Sequence, residues 1–201
     1  GATAGIGKAT AYRFAKENYR LIITGRRKER LDAVAADLKA VFGAAVFPLS
    51  FDIRKKSEVE NSLDRLPEEW RNISILVNNA GISAVKLFID MDDDLPEWHK
   101  VIDVDLHGTA SMTHAVANAM RTAGRGGLII NISSVGGARC AASRELPMTG
   151  YVASKSALIH LTTSWAIEFA EHSIRVNCIL PGPTHSKLDA QLTLEYEAKI
   201  A

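Results

Sequence analysis

Residues 1–7 read GATAGIG, and they stand directly before an apolar-periodic segment at about 5–18 that has the spacing of a helix. Backbone N–H groups at a helix start, with the helix dipole behind them, bind phosphate, and glycine lets the phosphate approach closely. Glycines at 1, 5 and 7 give G-x-x-x-G-x-G, which is not the commoner dinucleotide fingerprint G-x-G-x-x-G. A glycine turn alone is weak support for nucleotide binding, so its meaning depends on the rest of the chain.

Beyond the turn, strands and helices alternate. LIIT at 21–24 precedes a helix rich in Ala and Leu at about 28–41, then AVFPLSF at 45–51, a helix near 57–70 and ISILV at 73–77. An acidic loop leads to a long helix from about 96 to 122, the strand LIINI at 128–132, and a loop holding Gly136, Gly137 and Pro147. A further long helix at about 151–171 and the strand IRVNCIL at 174–180 complete the pattern. Short apolar strands separated by helices predict an α/β protein with a parallel sheet covered on both faces. Without an internal repeat, low-complexity tract or linker, residues 1–201 read as one domain. Ligands of such sheets sit beyond the carboxyl ends of the strands. Here those ends carry GRR, DI, NNAG, SS and PG.

Composition narrows the function classes. A chain of 201 residues, 47% hydrophobic and 23% charged, is long enough for a sizeable core. The net charge of +1 gives no electrostatic reason to expect nucleic acid or an anionic membrane as partner. No run of apolar residues is long enough to predict a membrane span. Cys140 and Cys178 form no metal-spaced cluster and fit a reducing, cytoplasmic compartment, and the six histidines are scattered, so no metal site is expected. The acidic run DMDDD at 90–94 lacks an EF-hand pattern, and an Asp ahead of Pro96 reads as a helix start.

GATAGIG at 1–7, NNAG at 78–81, ISS at 132–134, YVASK at 151–155 and RVNCILPG at 175–182 resemble, in order and approximate separation, the short-chain dehydrogenase/reductase family in its ordinary, non-extended branch. The resemblance covers essentially the whole chain. It implies a Rossmann-type doubly wound parallel sheet with helices on both faces. It also implies that this chain lacks the family's first strand, which precedes the first glycine, and its last strand, so that the chain is a fragment of the family's domain.

Two Tyr-x-x-x-Lys pairs are present, YRFAK at 12–16 and YVASK at 151–155, so spacing alone selects neither. By resemblance the second is the catalytic pair, because it starts a helix just after the serine-bearing loop. Tyr12 and Lys16 are expected to serve packing and surface solvation. A phenol with a pKa near 10 shuttles protons poorly at neutral pH, and an ammonium on the same helix face lowers that value. Tyr151 can then give a proton to a carbonyl oxygen as hydride arrives at carbon, or take one from a hydroxyl. The resemblance further implies that Lys155 bonds the nicotinamide ribose and that Ser134, with Ser133 as rival, donates to the substrate oxygen.

In WHKVIDVDLHG at 98–108, Asp105 stands where the family has an asparagine that helps hold a water linking the lysine to solvent. A carboxylate there would partly cancel the effect of Lys155, raising the tyrosine pKa and moving activity to higher pH. The alternative is that only the backbone carbonyl matters and the side chain turns away.

For the cofactor, an acidic residue after LIIT would suit the ribose hydroxyls of NAD; Arg26 and Arg27 instead suit a 2′-phosphate, so NADP(H) is expected over NAD(H). By resemblance the cofactor is held by Gly1, Thr3, Gly5, Ile6 and Gly7, by Asp52 and Ile53 at the adenine, and by Asn79, Ala80 and Gly81 at the adenine ribose. Pro181, Gly182 and Thr184 would face the nicotinamide amide, with Tyr151 and Lys155 completing the contacts. Asn78 reads as a tie between strands. The expected function is an oxidoreductase acting on a carbonyl/alcohol pair, walled by 83–89, the loop 138–150 and 185–200. A homodimer or homotetramer through the helices at about 100–122 and 151–171 is implied. A nucleotide-binding scaffold without turnover is the alternative.

Overall fold

Helix α1 (Gly5–Lys16) starts inside the glycine turn itself, with Gly5 at a φ of 52°, a value that costs a residue bearing a Cβ about 1–2 kcal/mol. A computed structural model describes residues 1–140, 143–144 and 146–184 in two compact units. Gly1–Asp52 with Pro183 and Thr184 form one, and Ile53–Gly182 the other.

In the first unit β1 (Leu21–Gly25) and β2 (Val46–Ser50) pair in parallel, Leu21 opposite Val46, and α2 (Lys28–Phe42) connects them. Helix α2 buries Leu31, Val34, Ala35 and Leu38, the i, i+3, i+4, i+7 stripe of a helix with one apolar face. Together with Ala11 and Ala15 of α1, Ile23 and Val46 they make the core of this unit. Pro48 lies within β2 opposite Ile23. Among the described residues β2 has one partner strand, so a position without an N–H group is tolerated there.

The second unit is built on β3 (Ile75–Asn78), β4 (Gly127–Ile132) and β5 (Ile174–Ile179), all parallel and in that order. Asn78, Asn131 and Cys178 lie side by side, so the three strands deliver their following residues at one height. Against the sheet pack α5 (Thr109–Ala123) and α7 (Thr149–Glu168), while α3 (Lys56–Asp64) packs on α5, and α4 (Pro96–Ile102) and a single turn α6 (Val135–Ala138) pack on α7. Ile129, Val116, Met120, Leu158 and Ile174 are buried between them.

Two expectations need correction. The helix expected over 57–70 ends at Asp64, because Pro67 cannot continue it and restricts the residue before it. Arg71 takes over the loose carbonyls at that end, donating from Nε to Leu66 O (2.9 Å) and from Nη2 to Asp64 O (3.2 Å). The helix expected over 96–122 is interrupted by a π-helical turn, Asp103–Gly108. The helix start expected at Pro96 is where α4 begins, although its cap position is Leu95, at a φ of 47°, with no side-chain hydrogen bond.

Candidate active site

The chemistry-bearing residues of the second unit gather where β4 ends and α7 begins. Lys155, one turn past Tyr151 in α7, is 4% exposed, and its Nζ donates to Ile132 O, the last carbonyl of β4, at 3.1 Å. The same Nζ lies 5.6 Å from the centre of the half-buried Tyr151 ring, as residues four apart on a helix must when both point the same way.

A set of buried hydroxyls and amides fixes α7 in this register. Ser133 Oγ donates to Lys155 O (2.7 Å) and Ser156 Oγ to Gly137 O (2.6 Å), while Ser154 Oγ turns back on its own helix to Tyr151 O (2.8 Å). Gly137 is required: a Cβ there would come within 2.6 Å of the Lys155 carbonyl carbon, so any side chain would push α6 away from α7. Deeper in the core, Asn78 Nδ2 donates to Thr113 Oγ1 (2.8 Å) and Asn131 Oδ1 (2.9 Å), and Asn131 Nδ2 donates to Thr162 Oγ1 (2.9 Å). Asn78 therefore ties β3 to β4 and α5, as its sequence position suggested. Asn131 and Thr162 escaped the sequence reading, which placed Gly137 in a loop and gave it no role; the signal for Asn131 was an asparagine inside the otherwise apolar strand LIINI. Each such bond is worth about 1 kcal/mol net, but losing one partner strands a buried polar group at greater cost.

The two serines of ISS separate cleanly. Ser133 is buried and committed to the α7 backbone. Ser134, half-buried, accepts from Gly136 N at 3.1 Å and so caps α6. That bond uses an oxygen lone pair, and the hydroxyl proton remains able to donate.

Asp105 sits in the π-helical turn, fully buried, with its carboxylate turned toward Lys155 rather than away. Oδ1 accepts from Ile82 N at 2.8 Å; Oδ2 lies 3.4 Å from Lys155 Nζ, an ion pair without the alignment of a good hydrogen bond. Burial pushes this carboxyl up from 3.8 to about 6, against the opposing pull of Lys155 and of the Ile82 N–H. Gly81 closes the space beside the pair: a Cβ there would be 3.2 Å from both Asp105 Oδ2 and Lys155 Nζ. Asn79 and Ala80 are half-buried in the same loop after β3, Ile53 packs on Gly108 of the π-helical turn, and Pro181 O accepts from Val135 N at 3.0 Å beside exposed Gly182.

In the first unit the glycine turn lies along the end of β1. Ala2 N donates to Thr24 O (3.0 Å), and a Cβ on Gly25 would be 3.2 Å from Thr3 Cγ2. Helix α1 has no side-chain cap and no acidic residue in its first turn, which leaves the positive end of its dipole for an anion. Ile6 is half-buried and Gly7 buried in that turn; Arg26 and Arg27, exposed, follow directly on Gly25, with Arg27 at the cap of α2. Asp52 and Thr184 are half-buried.

Of the expected pocket walls, 83–89 meets the loop 138–150 where Lys86 N donates to Pro147 O (3.3 Å), while 185–200 lies outside the described residues. Among the described residues no three His, Cys, Asp or Glu side chains converge as metal ligands, and no helix is long and apolar enough to cross a membrane.

Parallel strands joined by helices, two in one unit and three in the other, are the pattern of a Rossmann-type α/β fold. The family model for short chain dehydrogenase matches residues 1–197, and the chain belongs to that family. It is 36% identical over 185 residues to sulfoacetaldehyde reductase 2 of Chromohalobacter salexigens, covering 90% of this chain and 69% of that one. It superposes on a short-chain type dehydrogenase/reductase from Mycobacterium marinum with a TM-score of 0.90 at 33% identity, covering 99% of this chain and 76% of that one. A short-chain dehydrogenase from Sphingobium yanoikuyae in complex with NADPH gives 0.83 at 30% identity, covering 96% and 72%. The family moves hydride between a nicotinamide cofactor and a carbonyl/alcohol carbon.

Proposed function

We propose that the chain is the catalytic part of an NADP(H)-dependent reductase or dehydrogenase in which Tyr151 is the general acid/base, Lys155 lowers its pKa and Ser134 orients the substrate oxygen. The observation that carries this reading is the buried Lys155 ammonium held by Ile132 O beside the Tyr151 ring. A lysine so placed puts its amino group next to the phenol and away from water, where a charge acts most strongly.

The first unit fits the cofactor's phosphates. Its glycine turn opens on an uncapped helix start, and Arg26 and Arg27 offer planar donors for a 2′-phosphate. When bound, the dinucleotide supplies or accepts the hydride. In carbonyl reduction Ser134 donates to the carbonyl oxygen, Tyr151 passes its proton to that oxygen as negative charge develops, and Lys155 stabilises the phenolate left behind. In alcohol oxidation the same proton returns. The NADPH bound by the Sphingobium yanoikuyae relative supports the cofactor choice. The reading extends to a cytoplasmic homo-oligomer.

The test is NADPH consumption with a panel of ketones and aldehydes. Turnover with at least one is expected, and NADPH binding without consumption would point to a scaffold. Replacing Arg26 and Arg27 together with alanine should weaken NADPH by about 100-fold, at a few kcal/mol for lost charge-assisted bonds, and leave NADH nearly unchanged. Equal losses would refute the preference.

A further inference from the structure

The proton-transfer site holds one charged group that the mechanism above leaves without a task. Asp105 is fully buried, its Oδ2 is 3.4 Å from Lys155 Nζ, and Gly81 seals the other side of the pair. The charged groups that face it reduce, among the described residues, to Lys155 of α7, with the Tyr151 phenol next on the same helix. On its own turn Asp103 and His107 pair with each other at 3.1 Å, both well exposed. The loop 79–82 contributes only the Ile82 N–H, and β4 only the Ile132 carbonyl.

Lys155 therefore serves two masters. Its effect on a phenol depends on net charge nearby, and a carboxylate at ion-pair distance, in a site with little water to screen it, subtracts from that charge. A less acidic phenol stays protonated to higher pH. A protonated phenol is the form needed to donate to a carbonyl, and the phenolate is the form needed to accept from an alcohol.

We propose that Asp105 is a positioning residue that biases this site toward carbonyl reduction: its carboxylate offsets the Lys155 ammonium and keeps Tyr151 protonated across the neutral range. This rests on the acid/base role given to Tyr151 above. The equilibrium of the reaction is untouched; what moves is the pH range in which each direction runs. Oδ1 and the Ile82 N–H hold the carboxylate in place, so the device is built into the contact between the β3 loop, the π-helical turn and α7. The Lys155 ammonium and the Ile82 N–H both favour the ionised form of this group against its burial.

The phenol itself can be read by ultraviolet difference titration of tyrosinate, with the Tyr151→Phe protein subtracted to isolate one tyrosine. In Asp105→Asn, which keeps the size of the side chain and an acceptor for Ile82 N–H, the Tyr151 midpoint should fall by about one pH unit. Asp105→Ser, a second uncharged replacement, should move it the same way. In turnover, the alkaline limb of ketone reduction with NADPH should shift down by the same amount, with alcohol oxidation by NADP⁺ starting at lower pH. A midpoint unchanged or raised in the folded variants would overturn the proposal, even if activity or thermal stability drops. A parent that consumes no NADPH would break the proposed function instead, while the phenol titration still decides the role of Asp105.

Discussion

Tyr12 and Tyr151 each stand four residues before a lysine on a helix, and the two pairs share nothing else. The Tyr12 ring meets Phe42 edge-on at 6.0 Å and is covered by Lys8, 5.2 Å from its centre, while its buried hydroxyl has no hydrogen-bond partner among the described residues. Lys16 is exposed. Tyr151 has a lysine buried behind it, anchored to a strand-end carbonyl and paired with a carboxylate. Spacing on a helix sets only which side chains are neighbours; a strand end supplies the carbonyl and the burial that set one pair apart from the other.

The comparison can be broken at its lysines first. Lys155→Met should reduce turnover by about 10- to 1,000-fold, the range that an opposite charge's hold on a pKa allows, whereas Lys16→Met should change it less than about twofold. Steady-state rates of NADPH consumption check both, and similar losses would erase the distinction between the pairs. A smaller effect lies in stability. The folded chain holds the Asp105 proton more tightly than the unfolded chain, so its contribution favours folding below pH 4 and is lost as pH rises toward about 6. Denaturant unfolding from pH 4 to 7 should show the parent losing up to about 3 kcal/mol relative to Asp105→Asn. Parallel curves would contradict the buried, raised carboxyl. Least of all, Tyr12→Phe should leave turnover unchanged and stability equal or higher by up to about 1 kcal/mol, because it removes an unsatisfied buried hydroxyl. A clear loss of stability would reveal a partner for that hydroxyl.

Much of this was legible in the chain. The apolar runs LIIT, ISILV, LIINI and IRVNCIL mark β1, β3, β4 and β5 to within a residue or two, because buried parallel strands read as continuous apolar segments. The glycine turn and the position of YVASK after ISS placed the two candidate sites. Features set by tertiary contact failed to show. The π-helical turn at Asp103–Gly108 has no propensity signal; it is pressed so closely on Ile53 that a Cβ on Gly108 would come within 2.8 Å of it. Leu95 in a left-handed conformation runs against its own preference, which no local rule anticipates. The direction of the Asp105 side chain could not be chosen from sequence, since turning inward costs burial of a charge that Lys155, far along the chain, and the Ile82 N–H make tolerable. Pro67, by contrast, was a readable stop for α3.

The central claim is that Tyr151 moves the proton. The most direct measurement is the rate of NADPH consumption by Tyr151→Phe, beside its NADPH affinity, with a carbonyl compound that the parent reduces. The expected result is a fall in rate of about 100- to 10,000-fold with affinity retained; a rate within about tenfold of the parent would contradict the account.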